Sequence, residues 1–254
     1  MAQTLLFPPG NGSEYHMKDE FLHSGVRLEQ SESLFRLGTD AVLLADFARP
    51  EKGTAVCDLC AGTGAVGLLL LARDPSLFVT AVEIQAEACR LLQQSAEKSR
   101  LSECVTVLQA DLRQTEALPA GQFRHVVCNP PYYPVGSGFL AENEAVAIAK
   151  TELLCTLPEV AAAARRLLQT GGSLWIVHRP ERLADLVSAL RGAGLEPKEL
   201  RPVLPRPGDV PSLLLLRAVR GGKAGLKWQP PLYLANTDGT PTQEYLRIYH
   251  MEET

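Results

Sequence analysis

Between Thr54 and Leu215, short apolar runs alternate with longer segments in which apolar positions recur every three or four residues. A short run bounded by turn residues reads as a strand buried on both faces, and the longer spacing reads as a helix with one apolar side. Ala55-Val56-Cys57-Asp58-Leu59 is the first such strand. Ala65 to Arg73 is the helix after it, stopped by Asp74-Pro75 because the residue before a proline disfavours helical backbone. Phe78 to Ile84 gives the second strand. Gln85 to Arg100 then places Ala88, Leu91, Leu92 and Ala96 on one side, as in a helix packed on a sheet. Val105 to Gln109 and His125 to Cys128 are two further strands. Thr156-Leu157-Pro158-Glu159 has the form of a capping box with proline in the first turn, so a helix begins there and is expected to end at Gly171-Gly172. Ser173 to Val177 follows as a strand, and Leu183, Leu186, Val187 and Leu190 mark a helix ending near Gly192. Glu199 to Leu204 and Leu213 to Val219 are the final strands.

This alternation predicts an α/β fold with a doubly wound, mostly parallel sheet covered on both faces by right-handed crossovers. Ligands of such sheets bind at the carboxyl ends of the strands. Upstream, Thr39-Asp40 reads as a helix start, because short oxygen-bearing side chains accept from first-turn amides, and Ala41 to Ala48 continues it before Pro50. Pro8-Pro9-Gly10-Asn11-Gly12 reads as loop and Gly25 to Leu37 as short extended pieces. The chain therefore divides into an entry segment (1–50), a main domain (51–220) and a Gly/Pro-rich tail (221–254) expected to form a small appendage.

With 46% hydrophobic and 21% charged residues in a chain of 254, an ordinary globular core is expected. The beginning of the chain has no basic n-region, and the longest apolar stretch, around Val66 to Ala72, is too short to span a bilayer, so a cytoplasmic protein with no membrane partner is expected. The six cysteines lie in apolar segments without the spacing of a secreted disulfide framework. Cys57 and Cys60 form C-x-x-C, but no second pair or spaced histidine completes a zinc set, so no metal is expected. The net charge of −4 excludes a uniformly basic coat. Between Lys198 and Lys227, however, Lys198, Arg201, Arg206, Arg217, Arg220, Lys223 and Lys227 face only Glu199 and Asp209, a candidate nucleic-acid patch or a solvated surface.

The first strand runs into Asp58-Leu59-Cys60-Ala61-Gly62-Thr63-Gly64-Ala65-Val66-Gly67. This puts a G-x-G-x-x-G at a strand-to-helix turn, where glycine permits the tight turn and close approach of a ligand. Glu83 ends the second strand, where a carboxylate can accept from both ribose hydroxyls. A nicotinamide enzyme would share this much. Asn129-Pro130-Pro131-Tyr132, directly after the strand His125 to Cys128, separates the readings. An amino group conjugated to a ring or carbonyl has a delocalised lone pair and is a poor nucleophile. The Asn129 side-chain oxygen and the Pro130 carbonyl can each accept one of its N–H groups and hold the lone pair toward a methyl donor. Proline stiffens this loop and donates nothing, and Tyr132 can stack on a planar base. Asn129, Pro130, Pro131 and Tyr132 are the candidate catalytic residues.

Together these motifs resemble the class I amino-methyltransferases, whose sheet has seven strands and a Rossmann-like order and whose cofactor is S-adenosylmethionine. The resemblance implies that Asp58 and the loop Cys60, Ala61, Gly62, Thr63 and Gly64 lie by the methionine moiety. Glu83, beside Ile84, would hold the ribose, Asp111 in Gln109-Ala110-Asp111-Leu112 the adenine, and Leu112 would add a backbone contact. Asn129 would border the same cofactor. The usual first loop glycine is here Cys60. Phe35-Arg36-Leu37-Gly38-Thr39-Asp40-Ala41-Val42-Leu43-Leu44-Ala45 and Gly221-Gly222-Lys223-Ala224-Gly225-Leu226-Lys227 resemble bacterial tRNA adenine-N6 methyltransferases of the valine-tRNA type, with Thr39 implied to contact the cofactor's carboxylate. The segment Val135 to Leu154, including Lys150-Thr151-Glu152, does not match that pattern.

The resemblance implies methylation of adenine N6 in tRNA beside the anticodon, with base flipping before chemistry and tRNA held through residues 198–227. Methylation of a protein glutamine amide is the alternative enzyme, although that family carries a helical N-terminal domain for which residues 1–37 are too short. A non-catalytic RNA-binding protein on the same fold is the third reading.

Overall fold

The computed structural model describes residues 26–29, 37–114, 119–132 and 155–249. The Pro8 to Gly12 loop, Phe35-Arg36, Tyr133 and the segment 135–154 lie outside the described residues. The elements in chain order are α1 (Thr39–Phe47), β1 (Ala55–Leu59), α2 (Ala65–Arg73), β2 (Phe78–Glu83), α3 (Ala86–Lys98), β3 (Val105–Gln109) and β4 (Phe123–Cys128). After them come α4 (Leu157–Leu167), β5 (Leu168–His178), a 3-10 turn at Pro180–Arg182, α5 (Leu183–Gly192), β6 (Leu195–Leu204) and β7 (Leu213–Arg220). The last are β8 (Lys227–Trp228), β9 (Leu232–Tyr233) and α6 (Gln243–Ile248).

One sheet carries the strands in the order β3-β2-β1-β4-β5-β7-β6-β8, with β9 also paired to β6. The pairs among β1 to β5 are parallel, and β7 runs antiparallel between β5 and β6. This is the expected doubly wound, mostly parallel architecture, seven principal strands with two two-residue strands added at the β6 edge. Strand order reverses between β1 and β4, so a crevice opens outside their carboxyl ends. Alternation sends successive residues to opposite faces. Val56 and Val127 meet α1 and α2 on one face, whereas Cys57 and Val126 meet α4 and α5 on the other. Burial on both faces explains why these strands read as nearly unbroken apolar runs.

Some boundaries and one cap differ from the expectation. The helix opened by the Thr156 capping box stops at Leu167, and β5 starts at once, so Gly171-Gly172 lies within a strand. Its register against β4 shifts between Phe123 and His125. Gly171 takes φ 81°, and a Cβ on Gly172 would sit 2.9 Å from the Arg124 and Gln169 carbonyls, so the pair makes a bulge where sequence pattern suggested a helix end. At α1 the N-cap is Gly38 without side-chain capping, and the Asp40 carboxylate instead accepts from the Ala41 N–H at 2.9 Å. Strand β6 also begins earlier than Glu199.

The tail does not stand apart. Leu232 and Ile248 are buried in the same core as α1, and Arg247 reaches Asp46 at 3.5 Å. From the other side, Arg73 of α2 donates to the carbonyls of Ala45 (2.6 Å), Asp46 (3.3 Å) and Ala48 (2.6 Å), satisfying the orphan carbonyls at the end of α1. We expect Arg73→Ala to cost roughly 2 kcal/mol, the scale of charge-assisted bonds lost from a half-buried site. A denaturant midpoint unchanged from wild type would show that α1 does not depend on this cap.

Candidate active site

The site assembles from residues that the sheet delivers to one edge. At the end of β1, Asp58 is 1% exposed, and its Oδ2 accepts the Gly67 N–H at 2.9 Å. Its Oδ1 is buried without a hydrogen-bond partner among the described residues. Burial pushes this carboxyl up to about 7, with the Gly67 amide opposing and the neighbouring Glu83 adding to the rise. Gly67 must be glycine, since a Cβ would sit 2.8 Å from Val79 Cγ1 and 3.2 Å from Asp58 Oδ2.

The loop between β1 and α2 turns through three left-handed residues, Cys60 (φ 57°), Gly62 (φ 55°) and Gly64 (φ 86°). Cys60 adopts this conformation at a cost of roughly 1 kcal/mol relative to glycine. Its thiol is hydrogen-bonded with Cys128 and Cys155, and the Cys128 bond together with burial holds it neutral, well above the usual thiol range. Three of the six cysteines, far apart in sequence, thus meet at the loop. Ala61 N–H bonds to the Val82 carbonyl at 3.1 Å, and Thr63 is half-buried beside it.

Glu83, at the end of β2, accepts the Gly62 N–H on Oε2 (2.8 Å) and the Gln85 N–H on Oε1 (2.9 Å). Burial raises its pKa, and the amides of Gln85, Gly62 and Ile84 oppose that rise. The carboxylate therefore ties the glycine loop to β2. Beyond β3, Asp111 and Leu112 line a narrow, open cleft with Leu59, Val82, Leu108 and Ala110. Arg166 and Gln114 also border it, which sequence pattern did not indicate. The Asp111 carboxylate is forked by Arg113, whose Nε lies 2.9 Å from both oxygens, and this pairing holds its pKa below the usual carboxylate range.

At the end of β4, Asn129 and Tyr132 are half-buried, while Pro130 and Pro131 are buried. The Tyr132 hydroxyl lies 2.6 Å from Asn129 Oδ1 and 2.7 Å from Asp40 Oδ2. Its ring meets His178 edge to face at 5.2 Å, and burial drives the His178 imidazole down to about 4, so it is neutral at pH 7. Sequence pattern marks neither Asp40 nor His178 as a site residue: Asp40 reads as part of a helix start, and His178 follows the expected strand Ser173 to Val177. The other expected contact of the entry segment, Thr39, lies beside Tyr249 from the tail.

The model of the methyltransferase small domain matches residues 35–190, more than half of the chain. The chain belongs to this family. The match spans both the glycine loop and Asn129-Pro130-Pro131-Tyr132, so the assembled site lies within the methyltransferase domain. Among curated relatives, a tRNA1(Val) (adenine(37)-N6)-methyltransferase of Aeromonas hydrophila is 27% identical over 230 residues, covering 90% of this chain and 94% of the relative. Its namesake in Parabacteroides distasonis is 29% identical over 183 residues, covering 71% of this chain and 75% of the relative. Among solved structures, a predicted O-methyltransferase of Agrobacterium tumefaciens, protein Atu636, superimposes with a TM-score of 0.70 at 26% identity, covering 84% of this chain and 96% of that one.

The candidate nucleic-acid stretch is divided by the fold. Arg201 forks Glu244, Arg217 pairs with Glu199, Arg206 reaches Asp209 at 3.4 Å, and Lys198 and Arg220 donate to the carbonyls of Lys223 and Leu168. Because β7 runs antiparallel, Arg220 and Lys223 sit at the edge away from Asn129, whereas Arg206 follows the carboxyl end of β6. No group of three or more His, Cys, Asp or Glu suited to a metal occurs among the described residues. No helix among them is long and apolar enough to cross a membrane.

Proposed function

We propose that this methyltransferase moves a methyl group from S-adenosylmethionine to the exocyclic N6 of an adenine in tRNA, beside the anticodon. The observation that carries the reading is Asn129-Pro130-Pro131-Tyr132 at the carboxyl end of β4, across the switch point from the glycine loop, in a chain that over 90% of its length is similar to a tRNA1(Val) (adenine(37)-N6)-methyltransferase.

The residues present fit the cofactor. Asp58 Oδ1 is a buried acceptor without a partner among the described residues, Glu83 sets a carboxylate against the glycine loop at the end of β2, and the cleft by Asp111 and Leu112 offers an apolar floor with a carboxylate at its rim. Cys60, Ala61, Gly62, Thr63 and Gly64 would wrap the methionine end, with Ile84 beside the ribose and Thr39 near the carboxylate. When bound, S-adenosylmethionine supplies a sulfonium-activated methyl group. Asn129 and the Pro130 carbonyl hold the two amino hydrogens of the target, so that its lone pair faces the donor; positioning and exclusion of water supply the acceleration. The proton left on nitrogen after transfer departs to water.

Arg206, with Arg179 and Arg182 after β5, is the basic group at the site's own edge and would meet phosphates flanking a flipped base. A tRNA substrate implies a cytoplasmic enzyme. The names of the curated relatives favour adenine over a protein glutamine amide, and two acceptors without a hydroxyl-activating base suit an amino group better than an oxygen target.

The test is transfer from labelled S-adenosylmethionine to bulk tRNA lacking the modification, followed by nucleoside analysis. N6-methyladenosine is the expected product. Label appearing in protein glutamine, or in no acceptor, would overturn the substrate.

A further inference from the structure

Asp40, Tyr132 and Asn129 form a chain of three polar groups in which the number of protons decides which way the asparagine amide points. The Tyr132 hydroxyl lies 2.7 Å from Asp40 Oδ2 and 2.6 Å from Asn129 Oδ1, two acceptors, yet it has only one proton to donate. A carboxylate cannot donate, and it is a stronger acceptor than an amide oxygen. Asp40 also lies in the first turn of α1, where the helix dipole favours negative charge, and its second oxygen already accepts the Ala41 N–H. The tyrosine proton is therefore committed to Asp40. The face that Tyr132 turns to Asn129 is a lone pair, and it calls for a donor.

We infer that Asp40 is a positioning residue: through Tyr132 it draws the Asn129 NH2 group toward the tyrosine and so turns the Asn129 oxygen away from it, ready to accept an amino hydrogen of the substrate. A half-turn of the terminal amide from the orientation in the structure places nitrogen where Oδ1 sits, without moving any other atom. Left to itself, an asparagine presents donor or acceptor with little preference. Only one presentation binds a target N–H, because the other sets donor against donor. The ring of Tyr132 is kept in place for this task by its edge-to-face contact with buried His178 and by Arg182, which donates to the Tyr132 carbonyl at 3.4 Å. The assignment rests on the proposed transfer to an amino nitrogen. It adds to that reading the reason the entry helix must carry an acid at position 40.

Asp40→Asn gives the test its sign. The new amide keeps its oxygen for the Ala41 N–H and offers NH2 to Tyr132. The tyrosine proton then passes to Asn129, whose oxygen turns back to receive it, and the clamp presents the wrong group to the substrate. We expect kcat to fall about 100-fold with KM for tRNA within about twofold. Tyr132→Phe cuts the relay and leaves Asn129 undirected, for a fall of about tenfold. The double variant should resemble Tyr132→Phe alone, and so be about tenfold more active than Asp40→Asn. Losses that multiply would overturn the inference, since a merely structural role for Asp40 predicts no recovery.

A second readout needs neither cofactor nor substrate. The side-chain amide resonance of Asn129, identified by its loss in Asn129→Ala, should carry the downfield proton shift of an NH2 bonded to Tyr132, and should lose that shift in Asp40→Asn and in Tyr132→Phe. Indifference of the resonance to both substitutions would also overturn the inference. A wild type without methyl transfer to tRNA would refute the proposed function while this resonance still reported on the relay.

Discussion

Asn129→Ala is expected to lower kcat for methyl transfer by about 10²- to 10³-fold while leaving cofactor affinity within about twofold of wild type, the loss typical of removing one oriented polar contact from a transition state. The substitution takes away the only side-chain acceptor in the Asn129-Pro130-Pro131 turn, whereas the Pro130 carbonyl, being backbone, remains. It leaves Tyr132 bonded to Asp40, so the loop keeps an anchor and the fold should be nearly unchanged. Isothermal titration with the cofactor and single-turnover kinetics with tRNA separate the two quantities. Full activity in the alanine variant would remove Asn129 from the reaction and transfer the burden to backbone groups.

Asp58→Asn should make the protein more stable and a poorer binder at once. In the wild type, the Asp58 pKa moves from 3.8 to about 7 on folding because the carboxyl is buried. Between those pH values the native chain holds a proton that the unfolded chain has released. The contribution is therefore fully present below pH 3.8 and is lost as pH rises to about 7, a span worth on the order of 4 kcal/mol. An asparagine carries no such charge, and its oxygen can still accept the Gly67 N–H. The variant should melt higher at pH 8 and show no matching slope. Cofactor affinity should move the other way. A ligand donor meeting Asp58 Oδ1 compensates the buried charge, so wild-type binding should tighten as pH rises through about 7, and the variant should bind at least tenfold more weakly with a flat profile. A cofactor affinity independent of both pH and the substitution would mean that the orphaned oxygen faces no part of the ligand.

The sheet was legible because its strands are buried on both sides and its helices on one, which imposes two distinct periodicities on the chain. Leu183 and Leu190 bracket α5 almost to the residue, and Thr156 opens α4 where the capping box places it. Gly171-Gly172 misled because the same two glycines serve a helix end or a strand bulge, and only the register against β4 distinguishes them. Within the site, Asp58, Glu83, Asp111 and Asn129 stand at strand ends, positions that a local pattern can mark. Asp40 and the cluster of Cys60, Cys128 and Cys155 depend on contacts between segments far apart in the chain, for which periodicity carries no signal. The tail misled for a related reason: Gly and Pro announce turns, and β8 and β9, at two residues each, are too short to show any repeat.

The place of that tail gives the chain an order of completion. Helix α1 carries Asp40 toward Asn129, yet it is pinned from outside by α6, whose sequence lies about two hundred residues later. On a ribosome, the glycine loop and the Asn129 turn emerge and can fold long before Ile248 is made. Until α6 seats, α1 lacks Ile248 in its core and Tyr249 beside Thr39. A nascent chain would thus hold its sheet well before its site closed.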